Sequence, residues 1–218
     1  HTRFRNVTGV QTCALPISPS FRRAEPDARR LSLIEACARV LAKAGAAGAS
    51  VRAIAQEAGV SPGLIGHYFG GVDALVAETY AHVDAQVSAA LDAAVADAGN
   101  DPRARLEAFV TASFAAPIAD RALLATWIAF WSLVTARGDI ARQHDEQYAG
   151  YRARLEGLLA DCGVAADALR LSAISTTALV DGLWLELCLS PGCFSVAEAG
   201  AMARRHLDAI TSPDRAQG

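Results

Sequence analysis

The chain of 218 residues holds three tryptophans, and their placement is not scattered. Trp127 and Trp131 stand one helical turn apart with Phe130 between them, and Trp184 follows Asp181 by three residues. Indole faces attract cations, and each desolvated ring contributes on the order of 0.5 to 2 kcal/mol toward holding a quaternary ammonium group. A carboxylate in an otherwise apolar helix needs a partner or a cation, and at a spacing of three Asp181 and Trp184 share a helix face. Trp127, Phe130, Trp131, Asp181 and Trp184 are therefore candidate ligand-binding residues. The same spacing also suits an ordinary core stripe, with Asp181 paired to an arginine across a subunit seam, and the residues alone leave both readings open.

The other stretch with chemistry to offer is SVRAIAQEAGVSPGLIGHYFGGVDAL, residues 50 to 75. Ser50 can cap a short helix over 51 to 58, with Val51, Ile54 and Ala58 turned inward and Arg52 and Gln56 outward. Gly59 ends it. Ser61 followed by Pro62 reads as N-cap and first helical residue of another short helix running to about Phe69. A helix, a four-residue turn containing Gly and a second helix is the geometry that lays the second helix across a DNA major groove.

These segments need a scaffold, and helical periodicity supplies one. Leu31, Ile34, Ala38 and Leu41 place a buried stripe on a helix from Asp27 to Ala44, closed by Gly45. Further helices are expected over 72 to 98, 102 to 116, 120 to 136, 139 to 161, 166 to 189 and 196 to 211. They are separated at Gly99 to Pro102, Pro117, Gly138, Gly163 and Pro191-Gly192, and Ser195 with Glu198 has the form of a capping box. No alternating strand pattern competes, so the fold class is all-α.

Charge divides the chain. The net charge is -3, yet residues 19 to 71 hold seven Arg and Lys against four Asp and Glu, while residues 72 to 218 hold eleven against nineteen. The basic end is the expected nucleic-acid face, because attraction to phosphate depends on local field. Cys13, Cys37, Cys162, Cys188 and Cys193 form an odd set without CxxC spacing, which points to free thiols in a reducing cytoplasm. No apolar run is long enough for a membrane helix. Enzyme chemistry finds no nucleophile elbow, phosphate-cradling glycine loop or HExxH, and His82, His144 and His206 stand alone on helices, where they are expected to be solvated. No cofactor and no metal site is expected.

Residues 50 to 75 resemble the DNA-binding core of TetR-type repressors in position and spacing. TWIAFW (126 to 131), LVDGLWLELCLS (179 to 190) and GHYFGG are similar to the BetI branch, the choline-responsive repressors of betaine synthesis. The resemblance implies a three-helix N-terminal DNA-binding domain joined to a larger helical domain that binds effector and dimerises. It implies that Arg52 and Ser61 face phosphate, that Gly63, Leu64 and His67 face the groove, and that Tyr68 hydrogen-bonds the DNA backbone. Ile54, Ile65 and Phe69 would be core. Val72 stands where the family commonly has a phosphate-reaching lysine, so the salt dependence should be shallower by about one unit of slope. Gly66 weakens the recognition helix by roughly 1 kcal/mol relative to alanine. Glu186 stands where BetI-like chains tend to carry arginine.

The sequence thus reads as a ligand-responsive regulator binding palindromic operator DNA as a cytoplasmic homodimer, with a small, choline-like effector. Residues 22 to 70 would read DNA, and 71 to 211 would bind effector and dimerise through the apolar faces of the last two helices. Residues 212 to 218 form a tail. Residues 1 to 21 are expected to be a non-native or disordered leader, since VTGVQTCALPIS resembles translated sequencing adapter. The competing reading is a helical small-molecule or partner-binding module without specific DNA binding.

Overall fold

The computed structural model describes residues 26–190 and 192–212, all of them in helices or their connections. The expected leader over residues 1 to 21 and the tail beyond 212 lie outside the described residues. In chain order the helices are α1 (Pro26–Gly48), α2 (Val51–Glu57), α3 (Gly63–Phe69), α4 (Val72–Asp97), α5 (Pro102–Thr111), α6 (Arg121–Val134), α7 (Gly138–Asp161), α8 (Ala166–Leu189) and α9 (Val196–Thr211), with a 3-10 turn at Ala112–Phe114 after α5.

Caps written into the sequence set most of the boundaries. Ser50 accepts from the Ala53 amide, Asp101 from Ala104 ahead of Pro102, and Asp120 from both Ala122 and Leu123. The Ser195 hydroxyl and the Glu198 carboxylate close a reciprocal capping box at α9. Two expectations need correction. Gly45 kinks α1 at φ 66° without ending it, because a last turn re-forms through Gly48. Ser61 does not cap α3: Pro62 is the N-cap, and no side chain satisfies the first amides. Those amides are met instead by the tightened turn, in which Leu64 and Ile65 donate to the Ser61 and Pro62 carbonyls at 3.1 and 3.2 Å.

The core begins between α1, α2 and α3, where Leu33, Cys37, Leu41, Ile54 and Ile65 are fully or almost fully buried. It continues without interruption into the larger bundle through α4 and α6. α1 packs along α6 as well as against α2 and α4. The Thr126 hydroxyl, bonded mainly to the Ala122 carbonyl at 2.8 Å, also lies 3.4 Å from the Ala38 carbonyl of α1. The helix that carries Trp127 and Trp131 therefore rests directly on the first helix of the N-terminal unit. Leu31, expected inside, is 41% exposed. Large apolar residues of the last two helices are exposed as well: Leu171, Ile174, Leu185 and Leu189, which share one face of α8 by their spacing, and Val196 and Met202 of α9. No helix of the described residues is long and apolar enough to cross a membrane.

Candidate nucleic-acid interface and effector cavity

The turn between α2 and α3 is built around Gly59. Its φ of +65° belongs to the left-handed region that side-chain-bearing residues avoid. The reversal lets Gly59 and Val60 donate to the Gln56 and Ala55 carbonyls at 3.2 and 3.0 Å, closing α2. α3 then buries Ile65 and Phe69 and leaves Gly63, Gly66 and His67 exposed. Gly63 and His67, one turn apart, share the outer face. Ser61 and Arg52 are also exposed, whereas Leu64 and Tyr68 are half-buried and pack against the core. Ile54, Ile65 and Phe69 lie inside, as the resemblance implied.

The electrostatics of this unit are uneven. Arg39 and Lys43 of α1 both pair with Glu57, at 2.8 and 2.9 Å, and their hydrogen bonds hold its carboxyl below the usual range. Two of the positive charges that made residues 19 to 71 basic are therefore engaged locally. α3 ends at Gly70, in the left-handed region at φ 77°, whose amide donates to the Gly66 carbonyl.

Behind this unit lies a cavity of about 80 Å³ among α4, α6, α7 and α8. Trp127, Trp131, Asp181 and Trp184 all line it, so four of the five candidates converge from two helices. Trp127 and Trp184 meet at 6.4 Å between ring centroids. Phe130 is not on the wall. It is fully buried against Tyr80, 4.7 Å away, because its position on α6 turns toward α4. The wall also contains Asp84, Gln147, Tyr148 and Tyr151, which sequence reasoning missed. The available signal was Tyr148 and Tyr151, spaced by three on a mostly polar helix.

Two carboxylates thus sit in an aromatic enclosure. Burial pushes the Asp181 carboxyl up to about 6, against the opposing pull of the Tyr148 hydroxyl and the Arg152 charge. Burial also raises Asp84, with Arg154 pulling it down. Desolvation lifts both Tyr148 and Tyr151 well above the ordinary phenol range, so they stay neutral. Among the described residues, the buried indole nitrogens of Trp127, Trp131 and Trp184, the Tyr151 hydroxyl and the Gln147 carbonyl have no hydrogen-bond partner. A second, more open recess shares Trp131, Tyr148 and Asp181 with the cavity.

The histidines are not simply solvated. His144 is half-buried on the Tyr148 ring, with Nδ1 3.1 Å from the Tyr80 hydroxyl, and His206 Nε2 lies 3.0 Å from the Thr176 hydroxyl. His82 Nε2 is buried. The described residues contain no cluster of His, Cys, Asp and Glu suited to a metal.

Residues 33–79 match the model for bacterial regulatory proteins of the tetR family, and residues 102–212 match that for the BetI-type transcriptional repressor C-terminal domain. The HTH-type transcriptional regulator BetI of Burkholderia thailandensis is 34% identical over 189 residues, which cover 86% of this chain and 95% of that protein. BetI of Paraburkholderia xenovorans is 33% identical over 186 residues, 84% of this chain and 94% of the relative. Among solved structures, a transcriptional regulator from Pseudomonas aeruginosa PAO1 superposes with a TM-score of 0.80 at 43% identity, over 89% of this chain and 96% of that one. A regulator from Saccharomonospora viridis in complex with choline has a TM-score of 0.71 over 82% of this chain and 95% of its own; at 22% identity it carries the fold alone.

Proposed function

Since the chain belongs to the TetR family of bacterial regulators and carries a BetI-type C-terminal domain, we propose that it is a repressor released from its operator by a small quaternary ammonium effector of the choline type. It is a ligand-responsive, DNA-binding transcriptional regulator and not an enzyme. Residues 22 to 70 read DNA and residues 71 to 211 bind effector and dimerise. Arg52 and Ser61 meet phosphate; Gly63, Leu64 and His67 meet base edges; Tyr68 bonds the DNA backbone. The exposure of Arg52, Ser61, Gly63 and His67 on the outer side of α2 and α3 supports this assignment.

The observation that carries the effector reading is the cavity itself. Trp127, Trp131 and Trp184 offer faces to a cation, Asp181 and Asp84 offer counter-charge, and the unpartnered indole N–H and Tyr151 O–H groups can donate to an oxygen on the ligand. Choline has both features, a permanent cation and a hydroxyl. Phe130 stands behind this site, its ring 5.8 Å from that of Trp127.

One short helix contacts few base pairs, so a two-fold dimer on a palindromic site is required for useful specificity. The exposed apolar residues of α8 and α9, from Leu171 to Met202, form the seam we assign to it. The effector acts to the extent that it binds one spacing of the two recognition helices better than the other.

The test is fluorescence anisotropy with DNA from the gene's own upstream region at two salt concentrations, with and without choline. Tight, salt-sensitive binding that choline weakens supports the reading. Salt-sensitive binding indifferent to choline removes the effector assignment and keeps the regulator.

A further inference from the structure

Arg30 of α1 makes three contacts at once, two with the last turn of α3 and one with α4. Its Nη1 donates to the Tyr68 main-chain carbonyl in the last turn of α3 at 2.8 Å. Its Nη2 donates to the Glu78 carboxylate of α4. Its guanidinium carbon lies 4.7 Å from the centroid of the Phe69 ring, the last residue of α3. Neither Arg30 nor Glu78 was singled out by motif or spacing.

The chemistry of these contacts is specific to arginine. The carbonyls of a helix's last turn have no partner within the helix and carry the negative end of its dipole, so a cation there satisfies an orphan acceptor and a field together. The Gly70 amide takes the Gly66 carbonyl, which leaves Tyr68 to Arg30. A planar fork can serve two acceptors in different directions while its face stacks on an aromatic ring; an ammonium on a flexible stem cannot. The fork ties the C-terminal end of α3 to α4 by a polar contact, in addition to the apolar packing of Phe69.

We infer that Arg30 is a positioning residue for operator recognition: it sets the angle of α3 by bracing its last turn against Glu78 of α4, and it does so without touching DNA. The inference rests on the reading of α3 as the recognition helix. Three elements meet at this one side chain, so its loss leaves the end of α3 held by the packing of Phe69 alone and its angle less well fixed, while the buried Ile65 still anchors the middle.

The alternative, that Arg30 contacts a phosphate, makes opposite predictions, and full-length variants separate the two. The probe is a duplex selected by the wild-type chain from random-sequence DNA, with affinity measured across a salt series. Arg30→Gln should weaken binding by about tenfold or more with the salt slope unchanged. Glu78→Gln should also weaken it, although removing a negative charge near DNA would otherwise tighten binding. Arg30→Lys should rescue poorly. Amide exchange at residues 65 to 70 should quicken in both neutral variants, while exchange in the middle of α1 stays slow.

A slope shallower by about one unit in Arg30→Gln, with Glu78→Gln binding tighter and Arg30→Lys restoring affinity, would make Arg30 a phosphate contact and overturn the inference. Unchanged affinity and unchanged exchange would overturn it too. If Arg30→Gln fails to fold, the sign of the Glu78→Gln effect decides. If the wild-type chain selects no duplex, the recognition-helix reading fails first and takes this inference with it.

Discussion

Arg137, at the corner where α6 turns into α7, reaches Asp73 in the first turn of α4. Its Nη1 lies 2.9 Å from the Asp73 carboxylate, and its Nη2 donates to the Asp73 carbonyl at 3.1 Å. Gln143 adds a bond to the Ala77 carbonyl one turn further on. The helix that brings Trp127 and Trp131 to the cavity therefore ends in a grip on the residues that follow α3. Asp73 is largely exposed, and exposed ion pairs contribute about 0 to 1 kcal/mol to stability. The grip has little to offer as a stabiliser; what it does is tie the end of α6 to the residues that follow α3.

Arg137→Ala should accordingly separate binding from response. We expect the melting temperature to move by a few degrees at most and choline affinity to stay within about threefold, in keeping with the small worth of such pairs. The concentration of choline needed to displace DNA should rise. Calorimetry for choline and anisotropy for DNA, run on the same preparation, check this; parallel loss of both affinities would show a folding defect instead.

Choline affinity should depend on pH through Asp181. Burial raises its carboxyl to about 6, so the carboxylate is ionised above that pH and neutral below it. A permanent cation has no proton of its own to lose. Affinity should therefore be flat above neutrality and fall toward a limit of about tenfold per unit as pH drops below about 6. The raised carboxyl of Asp84 acts in the same direction. Asp181→Asn should weaken binding at pH 8 and flatten the profile, as isothermal titration across pH 5 to 8 would show.

The aromatic residues should divide by where they sit. Trp131→Leu, on the cavity wall and half-buried, should weaken choline binding by an amount equivalent to about 0.5 to 2 kcal/mol with modest loss of stability. Phe130→Ala, in the core against Tyr80, should lower stability by about 3 to 5 kcal/mol. A milder Phe130→Leu change should leave choline affinity in place. Urea unfolding paired with ligand titration distinguishes the two classes.

Gly66 offers a gain. It is exposed at mid-helix, and a Cβ built there meets no atom within 4 Å. Gly66→Ala should raise stability by up to roughly 1 kcal/mol. Ile65→Ala beside it, fully buried, should lower stability by about 2 to 5 kcal/mol. Thermal denaturation of both variants tests whether α3 is anchored on one face and open on the other.

The exposed apolar residues of α8 and α9 should hold two copies together. Leu171 and Leu189, each 64% exposed, lie at opposite ends of the stripe on α8. Leu171→Glu with Leu189→Glu should shift sedimentation toward the monomer and abolish tight operator binding. A monomer that still binds the palindrome as tightly as the wild type would contradict the seam.

What sequence could disclose, and what it could not, follows from how local each signal is. Helix limits at Ser50, Asp101, Gly59 and Ser195 are written in short-range capping chemistry, so they were legible. Ser61 misled because a Ser-Pro pair fits both a cap and a tightened turn. Trp127, Trp131, Trp184 and Asp181 stood out by residue type. Tyr148, Tyr151 and Asp84 did not, since their helices reach the cavity only through tertiary packing. Phe130 was assigned by proximity along the chain, and its rotation about α6 sent it to the core. Arg30, Glu78, Arg137 and Asp73 are joined by contacts 48 and 64 residues apart, which no spacing rule anticipates.

The claim that a paired α3 reads DNA and a filled aromatic cavity releases it is tested most directly by hydroxyl-radical footprinting of a selected operator with and without choline. The prediction is two protected patches spaced by about one helical turn, roughly 10 to 10.5 base pairs, both erased by choline in the wild type and both persisting in Asp181→Asn at the same choline concentration. Protection that survives when calorimetry shows the cavity saturated, or a single unpaired patch, would contradict it.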